Sequence, residues 1–151
     1  MDEYFEMAVA ETRRGIEAGV SGPFGATIVR GVDVVAAVGN RQLGDRDQMV
    51  AVREACRRLG TMDLSDCTMY ATCEPCPMCV GVMIWAGIKD VYYAATRHDA
   101  ARYGFSDMHL RRFFAGGDAT VINLVPIERR DDCIALFTDF HDKHPGLVAL
   151  P

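Results

Sequence analysis

The sequence predicts an α/β fold in which helices cover both faces of a central sheet, and three observations carry that expectation. Helix-period and strand-period segments alternate along the chain. Short β-branched runs such as Thr27-Ile-Val29 and Val34-Val35 are bounded by glycine, as buried strands are. The 151 residues contain no repeat, linker or low-complexity tract, so residues 1–151 read as one domain.

The opening segment sets Tyr4, Phe5, Met7, Ala8, Ile16 and Val20 against Glu3, Glu6, Glu11, Arg13 and Arg14 at helical spacing, and Gly19 or the Ser21-Gly22-Pro23 breaker ends it. Residues 25–30 and 33–38 form a hairpin about Gly31-Val32. A second helix runs from about Met49 to Leu59, with Val52, Ala55, Cys56 and Leu59 on one face. Residues 68–72 are a strand, a helix follows Cys76 as far as Gly87, and residues 91–95 are again a strand. Residues 98–118 read as irregular with helical pieces, 120–126 as a further strand, and Arg130 to Lys143 as the last helix. The two middle strand-helix-strand units are expected to be parallel crossovers, with ligands beyond the carboxyl ends of the strands.

Charge and composition exclude several function classes. Sixteen Lys and Arg against 21 Asp and Glu leave a formal charge of −5, which argues against a nucleic-acid binder held by bulk charge. No apolar run reaches the roughly 18 residues of a membrane span, and the acidic start lacks the basic region of a secretory signal. The expectation is a cytoplasmic protein with no membrane and no nucleic-acid partner. Reduced thiols are the rule there, so the six cysteines need a reading other than a disulfide framework.

Three of the six lie in Thr72-Cys73-Glu74-Pro75-Cys76-Pro77-Met78-Cys79. Cys76 and Cys79 form a C-x-x-C at a helix start directly after a strand. Such a pair serves as a redox dithiol, as half of a soft-metal site, or as two small core residues. The proline before Cys76 favours metal, because P-C-x-x-C is the second half of the zinc-deaminase signature H-x-E…P-C-x-x-C.

This loop resembles the zinc loop of the cytidine deaminase superfamily, in detail that of the guanine deaminase and nucleoside deaminase branch. The likeness extends over nearly the whole chain. Residues 22–26 resemble the family's first-strand entry, in which Phe24 would frame the base. Asn40 resembles the asparagine that hydrogen-bonds substrate. The 84–86 segment containing Trp85 resembles the one after the zinc cysteines; as a flat ring Trp85 could stack on a base and could equally be core. Residues 99–107 resemble the guanine deaminase stretch whose last acid, Asp107, recognises the purine. The resemblance implies a three-layer α/β/α sandwich around a five-stranded mixed sheet, usually dimeric. It also implies Zn2+ held by Cys76, Cys79 and a histidine, and hydrolytic deamination of a nucleobase or nucleoside, guanine above others. Cys73 takes the place of a cysteine that is not a ligand, and Glu74 that of a structural residue.

One departure stands out. The family's H-A-E, which supplies the histidine ligand and the proton-shuttling glutamate, is absent. Counting back without a gap from the second helix puts Arg46 at the histidine and Gln48 at the glutamate. Counting forward from Asn40 matches both flanks if about five residues are missing at the junction of Gln48 and Met49, and this second alignment is the one the sequence favours. Asp45 and Asp47 read as helix caps before they read as ligands, and Asp45-x-x-Gln48 resembles a capping box. His98 could approach the site from the end of the fourth strand. Cys56, Cys67 and Cys133 read as packing residues, as do Met69, Met78 and Met83. The pairs Arg111-Arg112 and Arg129-Arg130 read as solvated helix ends. No aromatic follows Phe140, where related enzymes close the site with one, so other amino-purines, amino-pyrimidines and aminotriazines stay open as substrates. The alternative of another class is a non-catalytic subunit that keeps the fold and base binding.

Overall fold

The computed structural model describes residues 1–19, 22–39, 47–117, 122, 124–126 and 128–146. Helix α1 (Asp2–Glu17) has Asp2 and Glu3 in its first turn and Arg14 in its last, which suits the helix dipole at both ends. The chain leaves it through Gly19 at φ +69°, a conformation that glycine adopts without strain. Strands β1 (Gly25–Arg30) and β2 (Asp33–Gly39) pair antiparallel about the expected turn, with a register shift between Ile28 and Val29. Helix α2 (Asp47–Leu59) follows, beginning two residues earlier than the sequence suggests. Then come β3 (Cys67–Cys73), α3 (Pro77–Trp85) and β4 (Asp90–Ala95). The expected irregular stretch holds two short helices, α4 (Arg97–Arg102) and α5 (Met108–Phe114), and α6 (Arg130–Lys143) closes the chain.

The described strands form one mixed sheet in the order β2-β1-β3-β4, with β1 antiparallel to both neighbours and β3 parallel to β4. Alternate residues of a strand face opposite sides, and β1 and β3 show both faces covered. Ile28 and Met69 enter the larger core with Ala51, Val52 and Ala55 of α2 and Cys79 and Met83 of α3. Val29 and Tyr70 face the other way, against Tyr4 of α1. The result is the three-layer α/β/α arrangement.

Two expectations are corrected. The sheet has four strands among the described residues, not five: Ile122, Leu124 and Val125 are 51%, 73% and 66% exposed and belong to no strand. A β-branched run becomes a strand only where an edge accepts it, and Pro126 has no N–H to offer one; residues 120, 121 and 123 lie outside the described residues. Cys133 and Met78 are exposed rather than packed. Cys133 sits on α6, whose residues are nearly all exposed and which packs extensively on no other element. No helix among the described residues is long and apolar enough to cross a membrane.

Candidate active site

The parallel β3-α3-β4 unit brings the cysteine loop to the carboxyl end of β3, where such sheets place ligands. Cys76 is the N-cap of α3, with extended backbone at φ −72° and ψ 164°, and Pro77 follows in the first turn, where its missing N–H costs nothing. Cys79 is one helical turn further on. The two Sγ atoms stand 3.5 Å apart, and both residues are buried.

That separation suits a shared metal. Two sulfurs on one tetrahedral zinc, each at about 2.3 Å, stand roughly 3.8 Å from one another. Among the described residues no third ligand is brought to them. All four histidines and all six cysteines lie among the described residues, and no group of three His, Cys, Asp or Glu able to hold a metal occurs there. His98 is exposed on α4, and His109, His141 and His144 are exposed as well. Cys76 and Cys79 therefore fit half of a zinc site, and the described residues do not complete it.

Cys73 lies under the same cleft with a different environment. Its Sγ faces the Thr96 carbonyl at 3.7 Å. Burial raises the pKa of this thiol, and the charge of Asp47 raises it further.

The cleft at Cys76 is small, about 40 Å³, and opens beside an apolar one of about 350 Å³. They share Phe24, Cys73, Ala100 and Phe105. The larger volume lies in the range that small-molecule sites occupy. Phe24 meets Phe105 edge to face at 5.2 Å, so its ring is a wall of both spaces. Asp107 also lines the smaller cleft. It immediately precedes α5 but makes no capping bond with its side chain; its Oδ2 instead accepts from Arg111 Nε at 2.9 Å.

Trp85 is not brought to the cleft. It ends α3, roughly 12 Å along that helix from Pro77 at about 1.5 Å per residue, and is 72% exposed. Asn40, Asp45 and Arg46 lie outside the described residues.

Gln48 stands in the same cleft. Helix α2 runs without interruption through Gln48 and Met49. Gln48 is buried, lines the cleft, and donates from Nε2 to the Cys73 carbonyl at 3.4 Å. The gap-free count from the helix assigns this position to the family's glutamate. A neutral amide there has no acidic proton to relay. Glu74 is engaged elsewhere: Oε2 accepts the Arg97 backbone N–H at 2.9 Å, and Oε1 stands 3.7 Å from Arg111 Nη2. Its structural reading is upheld. Arg111, in contrast, is no solvated helix end. Its i,i+4 spacing from Asp107 is a signal in the sequence that could have found it.

A profile of the "Cytidine and deoxycytidylate deaminase zinc-binding region" matches residues 1–95. The guanine deaminase of Bacillus subtilis (strain 168) is 41% identical over 111 residues, covering 70% of this chain and 71% of that one. A tRNA-specific adenosine deaminase of Aquifex aeolicus is 37% identical over 99 residues, 62% of this chain and 65% of its own. The X-ray structure of guanine deaminase from Bacillus subtilis superposes with a TM-score of 0.84 at 30% identity, covering 99% of this chain and 98% of that one. The 111 aligned positions of the Bacillus enzyme draw on 70% of 151 residues, about 106, so about five of its positions have no counterpart here. A shortfall of the expected size thus exists within the aligned region.

Proposed function

Because the chain belongs to the cytidine and deoxycytidylate deaminase family of hydrolytic enzymes acting on C–N bonds, we propose that its cleft takes a free amino-base, guanine first among them. The observation that carries this reading is the Asp107 carboxylate, which lines the cleft beside Cys76 without capping its own helix. Guanine presents adjacent ring and exocyclic N–H donors on one edge, and a carboxylate accepts only, with room for about four hydrogen bonds. Phe24 and Phe105 supply the apolar wall that a flat base needs. A net charge of −5 favours a free base over the tRNA on which some relatives' names say they act.

Cys76 and Cys79 are the residues that would hold zinc, which supplies a water acidified toward a pKa of about 7. The protein's own part is to orient the base against them and to exclude water. Zinc titrated into the purified protein is expected to bind one ion per chain, and Cys76→Ser or Cys79→Ser each to weaken it by at least roughly tenfold, read by a competing chromophoric chelator. Unchanged affinity in both variants removes the metal assignment. The protein is further read as a homodimer, because Leu136, Phe137 and Phe140 of α6 expose apolar surface that a second copy would cover.

A second reading is favoured by Gln48: the site binds the base without turning it over. One experiment separates the two. Ammonia released from guanine by zinc-loaded protein supports deamination. Calorimetric binding of 8-azaguanine with no ammonia supports the binding subunit, and absence of both sinks the guanine assignment.

A further inference from the structure

Arg111 joins three segments that lie far apart in the sequence. Its Nε donates to Asp107 Oδ2 at 2.9 Å, its Nη2 donates to the Pro75 carbonyl at 3.2 Å, and the same nitrogen stands 3.7 Å from Glu74 Oε1. Glu74 in turn accepts the backbone N–H of Arg97, the first residue of α4. One guanidinium thus ties the residue before Cys76 to the residue before α5, and through Glu74 to the start of α4. Its side chain is 28% exposed and those of Asp107 and Glu74 are 15% and 21% exposed, whereas the neighbouring Arg112 is exposed. Exposed ion pairs usually hold little in place. This one is partly buried and is reinforced by a backbone carbonyl 36 residues away in the chain.

We propose that Arg111 is the positioning residue of base recognition, holding the Asp107 carboxylate at a fixed distance and angle from the Cys76–Cys79 pair. The proposal rests on the reading in which Asp107 receives the base edge. Arginine suits the task because its donors form one rigid planar fork, so the direction of the bond to Pro75 sets the direction of the bond to Asp107. Lysine offers a point charge on a flexible stem and cannot transmit that angle. The bond from Nε occupies one of the roughly four acceptor sites of the carboxylate, which leaves enough for both donors of a guanine edge.

Full-length Arg111→Ala, Arg111→Lys and, as control, Arg112→Ala are compared in two measurements. The first is the ratio of affinities for 8-azaguanine and adenine by calorimetry. The second is amide hydrogen exchange across residues 73–79, with folding checked by circular dichroism and thermal melting. Arg111→Ala is expected to lower the preference for the guanine analogue by about tenfold, the scale of one misaligned hydrogen bond. It is also expected to speed exchange in the cysteine loop. Arg111→Lys recovers melting temperature but not the preference, and Arg112→Ala changes neither. A folded Arg111→Ala protein that keeps the wild-type preference overturns the proposal. Should the wild type itself show no preference, the reading of Asp107 falls on its own. Unchanged loop exchange in Arg111→Ala then overturns the clamp as well.

Discussion

Asp107→Asn is expected to weaken binding of 8-azaguanine by roughly 30- to 150-fold, while adenine binding changes little. The carboxylate would accept two N–H groups of the guanine edge, and hydrogen bonds to a charged partner are worth about 2–3 kcal/mol. Asparagine keeps the shape but turns one acceptor into a donor, so a donor faces a donor in a cleft that leaves Asp107 only 15% exposed. Adenine presents a ring nitrogen acceptor on that edge and has nothing to lose. The substitution also weakens the ion pair with Arg111, so melting temperature is followed alongside the titration. Equal losses for both bases would mean that Asp107 supports the cleft without reading the base, and no loss for either would remove it from recognition.

Gly25→Ala is expected to cost about 3 kcal/mol of stability and to lower the melting temperature by roughly 6–12 °C. Gly25 begins β1 and pairs with Gly39 of β2, and α1 crosses over that pair. A Cβ on Gly25 would fall on Thr12 Oγ1 and within 2.6 Å of the Ala8 carbonyl, and one on Gly39 within 3.1 Å of the Glu11 carbonyl. Thr12 cannot swing aside easily: it is buried and donates to the Ala8 carbonyl at 2.8 Å. Relief therefore requires moving the helix off the sheet. The backbone N–H of Gly25 also donates to Thr72 Oγ1, next to Cys73, so the strain reaches the floor of the cleft. Thermal or urea unfolding measures the effect, and a change below about 0.5 kcal/mol would show that α1 is free to shift.

Much of the fold is legible because local patterns agree with it. The hairpin about Gly31, the helix after Cys76 and the β3-α3-β4 crossover follow from residues near one another in the chain. No fifth strand forms among the described residues for the opposite reason: whether a run such as 124–126 pairs depends on an edge elsewhere. Trp85 and Met78 were misplaced because motif adjacency says nothing of how far a helix carries a side chain, or toward which face.

By itself the sequence determined the family, the helix-strand alternation, the C-x-x-C pair and the absence of H-A-E. These rest on short spacings that a rigid helix turn or a strand pleat turns directly into proximity. Only the tertiary structure decided that Gln48 stands beside the cysteines, that no histidine among the described residues joins them, and that Arg111 links Asp107 to Pro75. The Gln48–Cys73 and Arg111–Pro75 contacts span 25 and 36 residues of chain, and a distance across that separation is fixed by packing around a shared core, which no local pattern encodes.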